Sequence, residues 1–282
     1  MSLQAARTAC RLAAVCALGA GIAWAQPAPS GGALPGVTIS GKATPDPVEK
    51  SYRRMLRGMD LFEQRKAQLA PQATLRFKLL PRKPDVTLQG LELFVLGSTV
   101  EIPVPVAPDF TFTVDRHPKA AQENAVVTPD RKALTMTWRA EIRTPGLPPG
   151  TRRLGDLRLE CQVGMEAGLI SNSPSWITQI LSSLDNTPAY CSRPDNQYLF
   201  FADRPIFGVT LVAGDRRESM PAHRLWAGAV DDPRLRREGL RFCDCEVLLD
   251  RTYYAPLADP SWPHDTLVVF DYMEEQGLAA AR

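Results

Sequence analysis

Residues 134–143 read LTMTWRAEIR, and their strict alternation is the clearest structural signal in the chain. The apolar side chains of Leu134, Met136, Trp138, Ala140 and Ile142 alternate with the polar ones of Thr135, Thr137, Arg139, Glu141 and Arg143. Successive side chains of a β-strand point to opposite faces of its sheet. The stretch therefore predicts a strand with one apolar face against a core and one polar face toward solvent.

Further strand-like runs lie on both sides of this stretch, and proline and glycine turns separate them. They cover residues 74–80, 86–96, 99–106, 110–114, 157–163, 198–201, 207–212, 223–226, 242–249 and 267–272. Because proline cannot donate to a strand ladder, Pro103 and Pro105 predict that the third run is an edge strand or an irregular one. Short strands spaced roughly ten residues apart predict a mainly β protein with one large or two smaller β-sandwich-like domains. We assign the two β-rich regions to residues 72–170 and 171–273.

Two helices are predicted beside the strands. Residues 46–71 are expected to form an amphipathic helix, because apolar residues recur every three or four positions from Val48 onward and Pro71 ends the pattern. A short second helix near residues 174–184 begins after Ser173, which is a favourable capping residue.

The N-terminal residues 1–25 have the layout of a secretory signal peptide. Arg7 and Arg11 precede an apolar run that ends in the small-x-small pattern AWA before Gln26. The run is shorter than the roughly 20 residues that span a bilayer, and no later segment is apolar enough to do so. We therefore expect a soluble exported protein with no transmembrane span after cleavage. Frequent arginine, alanine and proline favour a bacterial gene, and hence the periplasm or the cell exterior.

Composition also defines two flanking segments and excludes one class of partner. Residues 26–45 are rich in proline and glycine and predict a flexible linker, and residues 274–282 predict a fraying tail. The signal peptide holds two of the 33 basic residues and none of the 31 acidic ones, so its removal leaves equal numbers of both. A nucleic-acid binder needs a positive surplus on one face. The balanced charge argues against a nucleic-acid partner.

Four of the six cysteines remain after cleavage, namely Cys161, Cys191, Cys243 and Cys245. An even number in an oxidising compartment predicts disulfide bonds. A bond between Cys243 and Cys245 would close a strained ring, so we favour bonds from each of these two to one of the other pair. The alternative is a single Cys161–Cys191 bridge with two free thiols.

Cys243 and Cys245 are also the strongest candidates for chemistry. Residues two apart in a strand face the same side, so the two thiolates could hold zinc or copper with His223 or His264 as a third ligand. Zinc sites usually have two residues between such cysteines, and disulfides remain the favoured interpretation. We therefore predict no cofactor.

The sequence contains no recognisable motif for nucleophilic catalysis, metalloprotease chemistry or phosphate binding. Trp226, Tyr253, Tyr254 and Trp262 could form a binding platform, although such residues equally fill cores. The favoured function is a non-catalytic envelope protein that binds a partner protein or an envelope component through a β-sandwich surface or its edge strands. The alternatives are a hydrolase whose site is assembled only in space, and a metal or redox protein centred on Cys243 and Cys245.

We expect the mature chain to begin at Gln26. N-terminal sequencing of the protein recovered from the periplasm of a Gram-negative host measures this start directly. An Ala25→Phe variant should keep its leader, because signal cleavage requires a small residue there, whereas an Ala5→Phe control should be processed normally. An unprocessed wild-type chain would contradict the prediction.

Overall fold

The computed structural model describes residues 49–82, 85–132, 135–169, 187–227 and 246–273. All of them belong to a compact unit that spans Ser40–Arg282. The predicted signal peptide, the linker, the short helix near 174–184 and the tail fall outside the described residues, as do Cys243 and Cys245.

The described chain is mainly β, as the sequence predicted. Its strands are β1 (Lys50–Ser51), β2 (Thr74–Pro81), β3 (Leu93–Leu96), β4 (Glu101–Pro103), β5 (Thr111–Phe112), β6 (Val126–Pro129), β7 (Met136–Arg143), β8 (Thr151–Arg153), β9 (Phe200–Phe201), β10 (Ile206–Ala213), β11 (Arg216–Ser219), β12 (Thr252–Tyr253) and β13 (Leu267–Tyr272). Its α-helices are α1 (Tyr52–Leu69), α2 (Pro118–Gln122) and α3 (Leu154–Glu166). Among these described helices, none has the length and apolar character needed to cross a bilayer.

The described strands pair into four antiparallel sheets. Sheet A has the order β1-β6-β3-β4, sheet B the order β5-β2-β7, sheet C the order β11-β10-β13-β8, and sheet D pairs β12 with β9. Strand β7 contains the alternating stretch, and its apolar residues Met136, Trp138, Ala140 and Ile142 are all buried. Strand β4, which ends at Pro103, lies at the edge of sheet A, as its prolines predicted.

The predicted strand at residues 157–163 is wrong, because these residues belong to α3. One face of α3 packs into a core built mostly from residues 154–270, and the opposite face, with Leu159 and Val163, packs into a second core built mostly from residues 52–142. The residues between the two faces include the buried charges Asp156, Arg158 and Glu160. A helix buried on all sides therefore shows a polar–apolar alternation that resembles the period of a strand.

Other predicted boundaries also differ from the structure. Only Leu93–Leu96 of the predicted strand at 86–96 pairs in a sheet. Residues 223–226 enter a 3-10 turn at Ala222–Arg224, and the described end of the predicted strand at 242–249 lies in another at Glu246–Arg251. Apolar runs this short do not distinguish a strand from a buried turn. Helix α1 begins at Tyr52, later than predicted, where the Ser51 hydroxyl accepts a hydrogen bond from the Arg54 amide.

Strand β7 is at the edge of sheet B, and side chains from β8 and α3 cover part of that edge. The Ile142 amide donates to the Glu160 carboxylate (3.0 Å), and the Ile142 carbonyl accepts from the Arg152 guanidinium (2.7 Å). Arg152 and Glu160 pair with each other at 2.6 Å, and both are buried. Asp156 likewise accepts from the amide and hydroxyl of Thr144, each at 2.8 Å. These side chains thus take the place of a neighbouring strand.

Two glycines let α3 approach its neighbours closely. A Cβ on Gly155 would overlap the carbonyl oxygen of Leu69, and it would lie 2.9 Å from the carbonyl of His264, which already accepts the Gly155 amide. A Cβ on Gly58 in α1 would lie 2.8 Å from the Cβ of Ala167. The position of α3 therefore depends on the absence of side chains at both points.

We expect Gly155→Ala to lower the free energy of unfolding by about 1–3 kcal/mol, because the backbone of Leu69 must move to admit the methyl group. Urea denaturation followed by circular dichroism measures this change. The matched control is Gly208→Ala in β10, where the nearest neighbour of a Cβ is 4.0 Å away and stability should hold or rise slightly. Equal destabilisation of both variants would refute the close-approach argument.

Candidate functional site

A cavity of about 850 Å³ lies over the polar face of β2 and β7, and we call it the charged cavity. The sequence predicted that this face of β7 contacts bulk solvent, but Arg139, Glu141 and Arg143 instead line a recess. Segment 200–203 and the 3-10 turn at Glu246–Arg251 contribute to its walls. The described residues that line it are Arg76, Lys78, Leu80, Pro81, Asp109, Phe110, Arg139, Ala140, Glu141, Arg143, Arg152, Glu160, Phe200, Phe201, Ala202, Asp203, Leu248 and Arg251.

The charged cavity has the size of a ligand site and an excess of positive charge. Ligand pockets in proteins commonly enclose about 300–1,000 Å³. Six cationic residues and four carboxylates line this one. The apolar part of the wall comes from aliphatic and phenylalanine side chains. Such a lining suits a ligand that carries both negative charge and apolar surface.

The carboxylates on the floor are held in a network of ion pairs. Glu141 pairs with Arg143 at 2.9 Å and with Lys78 at 3.3 Å. Asp203 pairs with the same two cations, with Arg143 at 2.6 Å and Lys78 at 3.8 Å. The buried pair of Arg152 and Glu160 adjoins this network and also lines the cavity. The network fixes the polar face of β7 against segment 200–203.

Two acidic groups of the cavity, Asp203 and Asp109, have lowered pKa values. Burial alone would raise the pKa of Asp203, but the positive charges of Arg143 and Lys78 hold it below its usual range. The pKa of Asp109 is also lowered. Burial would raise it, but hydrogen bonds from Thr111 and the charge of Lys78 outweigh burial. Carboxylates with lowered pKa values are weak general bases and are not proton donors near neutral pH.

Arg139 differs from the other floor cations because aromatic rings, rather than a carboxylate, contact its guanidinium. Its guanidinium carbon lies 4.8 Å from the ring centre of Phe201 and 5.6 Å from that of Tyr198. Its Nε is buried and has no hydrogen-bond partner among the described residues. The Nε donor of Arg139 is therefore used by no described protein group.

Arg76 and Arg251 also reach the cavity through hydrogen bonds to uncharged acceptors. The Nε of Arg76 donates to the Thr111 hydroxyl at 2.7 Å. Arg251 donates to the backbone carbonyl of Asp203 at 3.0 Å. These contacts orient the two side chains, and the Nε of Arg251 also lies 3.9 Å from the Asp250 carboxylate.

The charged cavity lacks the side chains of common nucleophilic catalysis. Its described lining contains no serine, threonine, cysteine, tyrosine or histidine. A hydrolase of the serine or cysteine class needs such a nucleophile beside a base.

His264 lines a different recess, the second cavity, of about 510 Å³, together with Arg158, Trp262 and Cys191. Arg158 lies 2.8 Å from Nδ1 of His264, and because a guanidinium can only donate, Nδ1 is the acceptor. Burial and the charges of Arg158 and Arg153 lower the pKa of His264. One of its two ring nitrogens is therefore already occupied, which leaves only Nε2 for a metal.

The cysteines take the pairing that the sequence analysis placed second. Cys161 of α3 and Cys191 form a disulfide with a Cα–Cα distance of 6.0 Å, so the favoured bonds to Cys243 and Cys245 are not the ones present. Cys243 and Cys245 lie outside the described residues, and the hypothesis of a metal site on them stays a prediction. The described residues contain no group of three or more His, Cys, Asp or Glu placed to hold a metal.

The four aromatic candidates do not share one cavity. Tyr253 is fully buried between Phe200 and Phe270 in the core that also holds Trp262. Trp262 is buried beneath the guanidinium of Arg216, which lies 3.5 Å from its ring centre. Trp226 packs on the same core and donates its indole N–H to the Ile206 carbonyl.

Tyr254, the last of the four, packs against a small separate cluster around Leu199. Tyr253 and Trp262 are buried, whereas Trp226 and Tyr254 are partly exposed, and a binding role for any of the four stays a prediction. The sequence predicted Arg139, Glu141 and Arg143 of the charged cavity as the polar face of β7. Nothing along the chain indicates that residues 200–203 cover that face.

Comparison with known proteins does not assign the cavity to a family. The chain matches no protein-family model, no curated protein and no solved structure. Its function must therefore be argued from the charged cavity itself.

We expect Glu160→Gln to lower the free energy of unfolding by about 3–5 kcal/mol, because it leaves the Arg152 charge buried without a counterion. The matched control is Glu218→Gln, which removes the carboxylate that pairs with Arg216 at 3.1 Å on the exposed strand β11. That change should cost less than about 1 kcal/mol. Urea denaturation measures both values, and a small effect at Glu160 would contradict a central role for its ion pair.

Proposed function

We propose that this chain is an exported, soluble, non-catalytic protein of the bacterial envelope that binds a partner protein or an envelope component in the charged cavity. The signal-peptide layout of residues 1–25 supports export, and the excess of arginine over lysine supports a bacterial source. The observation that carries the proposal is the charged cavity, a recess of about 850 Å³ with a polar floor and an apolar wall.

The chemistry of the lining supports binding over catalysis. Most charges of the floor are engaged with one another, and Asp203 and Asp109 have lowered pKa values that keep them from donating protons near neutral pH. A catalytic acid is usually tuned in the opposite direction, toward the working pH. The ion pairs and the ring contacts of Arg139 instead provide a rigid surface for recognition.

The β-sandwich interpretation belongs to the same proposal. Sheet B presents the apolar face of β7 to one core and its polar face to the charged cavity. Because β7 is an edge strand and Ala140 borders the cavity, an extended segment of a partner would also find strand backbone beside the floor. Pairing with such an edge is a common mode of peptide recognition.

A photo-crosslinker in place of Leu80 tests this function, because Leu80 is partly exposed and lines the cavity. We expect the exported full chain with p-benzoylphenylalanine at this position to form a defined adduct in envelope fractions of irradiated cells. The same group at Arg217, an exposed residue of β11 outside the cavity lining, is the matched control and should give no such adduct.

Two outcomes would overturn the proposal. One is an identical set of adducts from both positions, which would reflect collision alone. The other is the absence of any adduct from Leu80 in a protein that is exported and folded. Mass spectrometry of the adduct identifies the class of the bound component.

A further inference from the structure

The six cations of the charged cavity differ in their partners. Lys78, Arg143 and Arg152 form ion pairs with carboxylates that line the cavity. Arg251 lies 3.9 Å from the carboxylate of Asp250, which is not part of the described lining. Arg76 and Arg139 form no ion pair with any described residue: Arg76 is held by a hydroxyl and Arg139 by aromatic rings. These two strand residues are therefore the lining cations that no described carboxylate pairs with.

Arg76 and Arg139 lie on the two strands that form the floor. They belong to adjacent antiparallel strands, where Arg76 is opposite Glu141 and Arg139 is opposite Lys78. Both side chains are on the polar face, because Phe77 and Ala140, the neighbours of the two arginines in sequence, are buried in the core. Two guanidinium groups on one sheet face can donate to a single acceptor group bound between them.

Arg139 is prepared for such an acceptor before binding. The rings of Phe201 and Tyr198 lie 4.8 and 5.6 Å from its guanidinium carbon, and its Nε has no hydrogen-bond partner among the described residues. Arginine in this arrangement favours planar or multidentate oxyanions, which it binds through parallel N–H bonds. Little side-chain freedom is left to be lost on binding, which favours affinity.

An apolar wall lies in the same cavity as the two arginines. Phe110, Phe200, Phe201, Leu80 and Leu248 all contribute to the lining. Phe110 has a positive φ of 61°, which is uncommon for a residue other than glycine. Its amide donates to the Ala107 carbonyl at 2.8 Å, and its own carbonyl accepts from the Leu79 amide at 3.1 Å. These bonds hold the Phe110 backbone in this conformation at the cavity wall.

We propose that the charged cavity binds a small ligand with an oxyanion group, carboxylate or phosphate, joined to an apolar group. Arg139 and Arg76 hold the oxyanion, and the phenylalanine wall contacts the apolar part. This assignment names the ligand class of the site in the proposed function and rests on it. It adds two residues and a charge preference that the crosslinking experiment does not test.

Isothermal titration of the mature chain with three probes tests the ligand class. Phenyl phosphate and benzoate combine a ring with the two oxyanions, and phenol carries the same ring without either. We expect at least one of the two anions to bind at least about tenfold more tightly than phenol, which corresponds to one charge-assisted contact. The order of phenyl phosphate and benzoate identifies which oxyanion the site prefers.

Variants of the two arginines locate the site. Arg139→Gln should weaken the better anion by at least about tenfold, and Arg139→Lys should restore only part of this loss because lysine lacks the planar fork. Arg76→Gln should weaken it by about threefold or more, since a partly exposed guanidinium contributes less. Arg217→Gln on β11 removes one positive charge outside the cavity and should leave binding unchanged. Circular dichroism of each variant establishes that it is folded.

Three results would overturn the assignment: no binding of either anion, binding of phenol as tight as that of the anions, or unchanged anion binding in folded Arg139→Gln. If Arg139→Gln does not fold, the comparison of Arg76→Gln with Arg217→Gln decides, and equal affinities of those two variants overturn the assignment. A Leu80 adduct without anion binding would refute the oxyanion preference and leave the proposed function standing. Anion binding that depends on Arg139, without any Leu80 adduct, would refute the proposed function and leave the oxyanion preference standing.

Discussion

The structure depends on how the free edge of β7 is closed. An edge strand inside a folded chain has amide and carbonyl groups that must find partners, since burying them unpaired is costly. Here the ion pair of Arg152 and Glu160 supplies both an acceptor and a donor to Ile142, at 3.0 and 2.7 Å. Each charge neutralises the other while it completes the backbone of Ile142, although the buried Nε of Arg152 has no hydrogen-bond partner among the described residues. A buried ion pair is tolerated on these terms and is otherwise a net cost.

This closure explains why a highly charged helix can lie at the centre of the described structure. Helix α3 contributes apolar residues to both cores, and the polar residues between its two faces have partners: Asp156 binds Thr144, Glu160 binds Ile142 and Arg152, and Arg158 binds His264. The disulfide between Cys161 and Cys191 ties the same helix to the chain that follows it. Close backbone contacts at Gly58 and Gly155 leave no room for a different placement. Few positions of α3 are therefore free of a tertiary constraint.

The charged cavity exists because β7 has one apolar and one polar face. Its apolar side chains complete one core, and its polar side chains form a floor that segment 200–203 converts into a recess. Ion pairs bind most of the floor charges to one another, while Arg139 lies against two aromatic rings and its Nε has no partner among the described residues. Fixed charge beside an apolar wall is the physical basis of the binding function proposed for this chain.

The sequence by itself determined the mainly β class, β7 and the opposite characters of its two faces, because the period of two is a local property that packing did not override. It also determined the helix before Pro71 and the edge position of the strand with Pro103, since the helical period and the missing proline N–H act locally. Only the tertiary structure decided that residues 157–163 are helical, that Cys161 pairs with Cys191, and that the outer face of β7 lines a cavity. Each of these depends on groups distant in the chain, such as Ile142 for Glu160 or Phe201 for Arg139. The local period of the sequence does not indicate which distant backbone group or ring will contact a buried charge.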